Sequence, residues 1–248
     1  MTALSYASAP VPVRADLVKA HQQLWQKLAE PGTWWTGAER VAIAAEVRKA
    51  GQCHLCAERK AALSASAVHG QHDTNGILPA PVVEMIHKIT TDPGRLSKQW
   101  YEQLLTDGLE DTQYIETLGV VIRTVSIDSF CRGIRMPPHP LPTPVAGEPS
   151  RHRPPAARVD VAWVPMIPNG EETGPDADIY WGRQAPNVIR AMSLVPDEVR
   201  SSIHILLPPQ YLDPANVSDP RVDSGRAISR SQMELLAARV SALNQCFY

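Results

Sequence analysis

Two cysteines three residues apart, in Cys53-His-Leu-Cys56, point most directly to chemistry in this sequence. The thiolate is the reactive form of cysteine. The first turn of a helix favours it, because unpaired backbone N–H groups and the helix dipole stabilise negative charge there. A spacing of three also sets both sulfurs on one helix face, close enough to join as a disulfide once one has been oxidised to a sulfenic acid. Groups able to move protons lie nearby: Glu39 and Glu46 are seven apart on the preceding helix, and His54, Glu58 and His69 follow. From these we expect a catalytic set of Cys56, Cys53, Glu46 and His69.

Each choice competes with a plainer role. Glu39 fits a helix-capping residue, since Thr36-x-x-Glu39 is a capping box. Glu46 would otherwise be a solvated residue or a partner of Arg48 or Lys49. Cys131, in an apolar pattern, reads as a small buried side chain, and His139 and His152 as polar linker residues. Trp34-Trp35 could line a pocket or staple the start of the next helix. A zinc ion would need two more ligands than the pair supplies. Only His69 and His72 are near, with no second Cys-x-x-Cys and no His-x-x-x-His. No Gly-rich strand-to-helix loop appears, so neither metal nor cofactor is expected.

Helices must position these groups. With aromatic residues at 6% and alanine abundant, a strand-rich core would lack its usual filling. Leu17, Ala20, Leu24 and Leu28 recur at near-helical spacing and predict a helix from Ala15 to Leu28. A second starts at the Thr36 cap and runs to Gly51, a residue able to stop it in the left-handed conformation. A third runs from Cys53 to about Leu63. Further patterns cover Pro79 to Ile89, Leu96 to Leu105, and Asp111 to Ile134, the last apolar on several sides as suits a central helix.

Between Met136 and Pro155 stand eight prolines, the composition of an extended linker. This divides the chain into an all-α unit over 1–136, a linker over 137–158 and a second unit over 159–248. Helices in the second unit are expected from Pro186 to Met192, Asp197 to Leu207, and Ser229 or Ser231 to Leu243.

The net charge of -2 and pI near 6.4 supply no basic stripe for a phosphate backbone, so nucleic acid is not an expected partner. No apolar run reaches membrane-spanning length, and Met1 to Pro10 lacks the charged and apolar regions of a signal peptide. A cytoplasmic setting is expected, where a Cys-x-x-Cys reads as redox or metal chemistry rather than as part of a disulfide scaffold.

The cysteines also align an internal repeat. Ala44-Ala-Glu-Val-Arg-Lys-Ala-Gly-Gln-Cys53 matches Ala237-Ala-Arg-Val-Ser-Ala-Leu-Asn-Gln-Cys246 at both alanines, the valine, the glutamine and the cysteine. At these residues the sequence resembles the alkylhydroperoxidase D-like superfamily, which also contains carboxymuconolactone decarboxylases. Its hallmark is a Glu on one helix, a helix break, Cys-x-x-Cys opening the next helix, and a His one turn later. The second copy places Glu234 twelve residues before Cys246 but stops where the second cysteine and the histidine would follow. The first keeps both cysteines, with Val41 at the Glu position and Lys60 at the His position.

The resemblance spans about 30–141, plus the front half of a second domain. It implies a helical bundle with a partial second repeat, in which Cys56 attacks a peroxide and Cys53 resolves the product. The expected function is therefore a thiol-dependent oxidoreductase that reduces peroxides and is recycled by a dithiol reductant. The alternatives are a binding or assembly module of the same fold and a cysteine-independent lyase or decarboxylase. The apolar face of the last helix, Leu235, Leu236, Val240 and Leu243, further predicts a homo-oligomer.

Overall fold

The computed structural model describes residues 4–244 except 183, 214, 215, 217, 218, 220, 222 and 224. It is mostly helical, 53% helix with negligible strand. None of its helices is long and apolar enough to cross a membrane among the described residues. Cys246, and with it the end of the second repeat, lies outside the described residues.

The first six helices are α1 (Ala15–Ala29), α2 (Gly37–Ala50), α3 (His54–Ala61), α4 (Ala80–Thr91), α5 (Lys98–Thr106) and α6 (Asp111–Gly133), close to the spans that the periodicity predicts. Leu17, Ala20, Leu24 and Leu28 form the buried stripe of α1. The α2 start is the predicted capping box: Thr36 Oγ1 accepts from the Glu39 N–H, and the Glu39 carboxylate accepts from the Thr36 N–H at 2.8 Å. Such a cap contributes about 1 kcal/mol.

Gly51 does not take the left-handed conformation expected of it. Its φ of -63° is right-handed, and α2 ends instead because Cys53 turns extended (φ -74°, ψ 123°) and becomes the N-cap of α3. The break places both cysteines at the head of α3 without any need for a glycine.

Helices α2, α4 and α6 pack on one another, with α1 against α2. Leu24, Leu28, Ile43, Met85, Ile86, Val120 and Ile127 are fully buried between them, each stabilising the fold by about 1.5–3 kcal/mol. Beyond α6, the proline-rich segment is extended and lies along this bundle. Pro140 O accepts from Trp25 Nε1 at 2.9 Å, the Val145 N–H bonds Ala29 O at 2.8 Å, and the Arg151 N–H bonds Thr33 O at 2.8 Å. His139 is buried there rather than solvated.

A two-stranded antiparallel ribbon follows, β1 (Arg158–Val159) and β2 (Pro165–Met166), then α7 (Asn187–Arg190), α8 (Pro196–Val199), a π-helical stretch (Arg200–Leu206), α9 (Leu207–Gln210) and α10 (Arg230–Leu243). Val164, Ile167, Tyr180, Leu194 and Val199 belong to the same continuous core as Leu24 and Ile43, so residues on both sides of the proline-rich segment share one core. On α10 only Met233 is buried; Leu235, Leu236, Val240 and Leu243 stand exposed.

Two buried ion pairs tie these parts together. Arg40 Nη1 on α2 donates to Glu116 Oε1 on α6 at 2.9 Å, and Arg123 on α6 pairs with Glu198 on α8. Gly119 makes the second possible: a Cβ there would lie 1.9 Å from Glu198 Oε2.

A further polar cluster sets a pH limit on stability. His21 is fully buried, its Nδ1 is 2.6 Å from the Tyr6 hydroxyl, and Phe130 packs edge-on against it. Burial pulls His21 down from 6.5 to about 4. Between those values the unfolded chain binds a proton that the folded chain does not. Stability is therefore full above pH 6.5 and falls as the pH drops towards 4, by up to about 3 kcal/mol. Urea midpoints measured across this window should decline in the wild type and decline less in His21→Gln; identical slopes would remove His21 as the cause.

Candidate functional site

The N-cap position of Cys53 and the first-turn position of Cys56 put both thiols at the positive end of α3. Both are buried and free, under Leu55 and Val68. The Asp73 N–H reaches Cys53 Sγ at 3.4 Å, and the Asp73 carboxylate accepts from the His54 N–H at 2.8 Å, which ties the loop after α3 to the head of that helix.

Two histidines converge on the sulfurs. His72, on this loop, presents Nδ1 at 3.5 Å to both Cys53 Sγ and Cys56 Sγ. His87, on α4, presents Nδ1 at 3.3 Å to Cys56 Sγ. The two rings lie 4.2 Å apart. Each turns its Nε2 to a carboxylate: His87 to Glu46 Oε1 at 2.8 Å, and His72 to Glu84 Oε2 at 2.8 Å. A carboxylate on Nε2 holds a ring proton there and aims Nδ1 at the thiols.

The carboxylates are themselves fixed. Glu46 Oε2 accepts from the Asn75 N–H at 3.0 Å. Glu84 accepts from Arg59 Nη1 at 2.8 Å and from Trp100 Nε1 at 3.2 Å. Arg59 is on α3 and Glu84 on α4, so their pairing clamps the cysteine helix to the helix that carries His87.

The electrostatics separate the two histidines. Burial pulls the His72 ring down, but its bonds to Cys56, Glu84 and Cys53 outweigh this and raise it to about 10, so it is an imidazolium at neutral pH. For His87 burial wins over the pull of Glu46; its pKa falls below 6.5 and the ring is neutral. Burial pushes the Cys53 thiol up, yet bonds from the Cys56 N–H, the His72 ring and the Asp73 N–H bring it below its usual value. Glu84, raised by burial, is held down to about 2 by His72 and Arg59. The arrangement thus sets an imidazolium at His72 beside a Cys53 thiol whose ionisation is favoured, and a neutral imidazole at His87 whose Nδ1 faces the Cys56 sulfur at 3.3 Å.

A cavity of about 400 Å³ opens onto this cluster. Cys56, Arg59, His72, Glu84, Lys88 and Trp100 are among the residues forming its wall, and Cys53 is not. Of the two cysteines, Cys56 is the one that lines this cavity.

Of the four residues expected from the sequence, Cys53, Cys56 and Glu46 meet in one site. His69 does not join them. It is exposed, because the loop is pinned through Asp73 and turns His72, three residues later, inward to Glu84. Glu46 is 1% exposed and bonded to His87, neither solvated nor paired with Arg48, which bonds Asp128 instead. Trp35 is buried against Thr117 at 3.1 Å rather than lining the cavity, in keeping with a packing role.

His87 was not apparent as a site residue. It sits within the apolar stripe of α4 among Val82, Val83, Met85 and Ile86, where a histidine reads as a core residue. The available signal was a buried-face histidine opposite Glu46 on the adjoining helix. With the two cysteines, His72 and His87 also form a group of four that could hold a metal ion. No family model, curated protein or solved structure matches the chain.

Proposed function

We propose that the protein is a thiol-dependent oxidoreductase that reduces peroxides at Cys56, within an alkylhydroperoxidase D-like helical bundle. One observation carries this reading: the hydrogen-bonded line Glu46, His87, Cys56 that ends at the wall of the cavity. It is the arrangement of a nucleophile, its base and the group that orients the base.

The chemistry follows from the geometry. His87 Nδ1 takes the Cys56 proton while Glu46 stabilises the resulting imidazolium. The thiolate attacks the terminal oxygen of a hydroperoxide and breaks the O–O bond; the leaving alkoxide takes the proton from the His87 imidazolium, giving an alcohol and a Cys56 sulfenic acid. The Cys53 thiolate then attacks the Cys56 sulfur, a disulfide forms, and the hydroxyl leaves as water with a proton from the His72 imidazolium. An external dithiol returns the disulfide to two thiols.

The cavity volume suits an organic hydroperoxide as well as hydrogen peroxide. A relay built from His72, His87 and Glu46 also stands in for the Glu and His positions that Val41 and Lys60 occupy.

The test is a count of free thiols by mass spectrometry before and after a brief stoichiometric peroxide pulse. The reduced chain carries four cysteines. The proposal expects Cys53 and Cys56 to be lost together as a disulfide while Cys131 stays free. If both remain free, peroxide chemistry at this site is refuted.

A further inference from the structure

We infer that the reduced site binds one Zn²⁺ ion through Cys53, Cys56, His72 and His87, and that the ion guards the dithiol against oxidation. One sulfur or one ring nitrogen from each residue lies within 4.8 Å of the other three, the four-point cluster that a tetrahedral ion requires. Zinc bonds sulfur at about 2.3 Å and imidazole nitrogen at about 2.0–2.1 Å, so adjacent S and N ligands of a tetrahedron stand about 3.6 Å apart. Three of the four Cys–His separations are 3.5, 3.5 and 3.3 Å, and the fourth lies within 4.8 Å.

The second argument lies outside the four ligands. A histidine that binds zinc commonly donates its other ring N–H to a carboxylate, which fixes the tautomer and strengthens the ligand. Both histidines here do so, His87 to Glu46 and His72 to Glu84, each at 2.8 Å. A site built only to activate one thiol needs one such pair. The second pair, further fixed by Arg59 and Trp100, holds His72 Nδ1 at 3.5 Å from both sulfurs, as a ligand sharing an ion with them requires. Two thiolates, two neutral imidazoles and Zn²⁺ carry no net charge, which suits a buried site.

Zinc occupies the sulfur lone pair that attacks peroxide. Loaded and reactive states of the dithiol therefore exclude one another, and the inference rests on the proposed peroxide chemistry only for this protective role.

The experiment titrates the reduced, metal-stripped full chain with Zn²⁺, and with Co²⁺ as an optical probe, then repeats the peroxide pulse on loaded and stripped protein. One ion per chain is expected, with the visible bands and sulfur-to-metal charge transfer of tetrahedral cobalt thiolate. Glu84→Gln keeps all four ligands and should weaken binding by about 10–100-fold, which a role confined to folding would not produce. Loaded protein should form the disulfide more slowly than stripped protein.

Failure of the two ideas is distinguishable. Stripped protein that oxidises at Cys53 and Cys56 but takes up neither ion overturns the zinc site and leaves the peroxide chemistry standing. An ion bound with the cobalt thiolate bands, in a chain whose stripped form ignores peroxide, supports the zinc site and refutes that chemistry together with the protective role. Binding that leaves the oxidation rate unchanged overturns the protective role.

Discussion

Replacing His87 with glutamine should slow peroxide oxidation of Cys56 by about 10²–10⁴-fold, the usual contribution of a positioned general base. The glutamine amide can still donate to Glu46, so the buried carboxylate keeps a partner and the helix pair α2 and α4 stays closed. What it cannot do is accept the Cys56 proton. Glu46→Gln should have a smaller effect, because the amide oxygen still receives the His87 Nε2–H but no longer carries the charge that stabilises the imidazolium. Rapid-quench alkylation after a peroxide pulse measures both rates. Equal rates in wild type and His87→Gln would remove His87 from the chemistry, and a slower Glu46→Gln than His87→Gln would invert the order of the relay.

The second large effect is on stability. Glu198→Ala leaves the Arg123 guanidinium buried without its carboxylate, at about 2% side-chain exposure. Removing one partner of a buried ion pair costs about 3–5 kcal/mol, because the remaining charge has lost the partner that compensates its desolvation directly. In a chain of this size that lowers the melting temperature by roughly 6–20 °C. The double variant Arg123→Met/Glu198→Leu, which removes both charges and fills similar volume, should regain most of the loss. A single variant within about 0.5 kcal/mol of wild type, the range of an ordinary surface change, would show that the pair does not hold α6 to α8.

The helices were legible because the signals that define them are local. The apolar spacing of α1, the capping box of α2 and the long apolar pattern of α6 each read through a few neighbouring residues. Gly51 was misjudged for the same kind of reason: a helix-stop residue was assigned the left-handed conformation, whereas the chain turns at Cys53 with ordinary dihedrals.

In the site, Cys53 and Cys56 were legible from spacing, and Glu46 from its neighbourhood on the preceding helix. The histidines were not, because their placement depends on which helix packs against which. His87 reaches Cys56 because α4 packs against α3 as well as α2, and it comes 31 residues after that cysteine. Proximity along the chain favoured His69, but the loop's direction is set by Asp73 bonding back to the head of α3. Once the loop is fixed there, His72 faces the thiols and His69 faces solvent.

The proline-rich segment teaches a related point. Its composition correctly implies an extended chain, but composition says nothing of what an extended chain lies against. Trp25 Nε1 and the carbonyl of Ala29 at the end of α1 give it partners, and it packs along the bundle.

The most direct measurement locates the first oxidation. In the Cys53→Ser chain, a peroxide pulse in the presence of a sulfenic-acid trap should place one adduct on Cys56, with none on Cys131. In the Cys56→Ser chain neither an adduct nor a disulfide should form at the wild-type rate. An adduct on Cys53 in Cys56→Ser that forms as fast as the wild-type disulfide would contradict Cys56 as the attacking thiol.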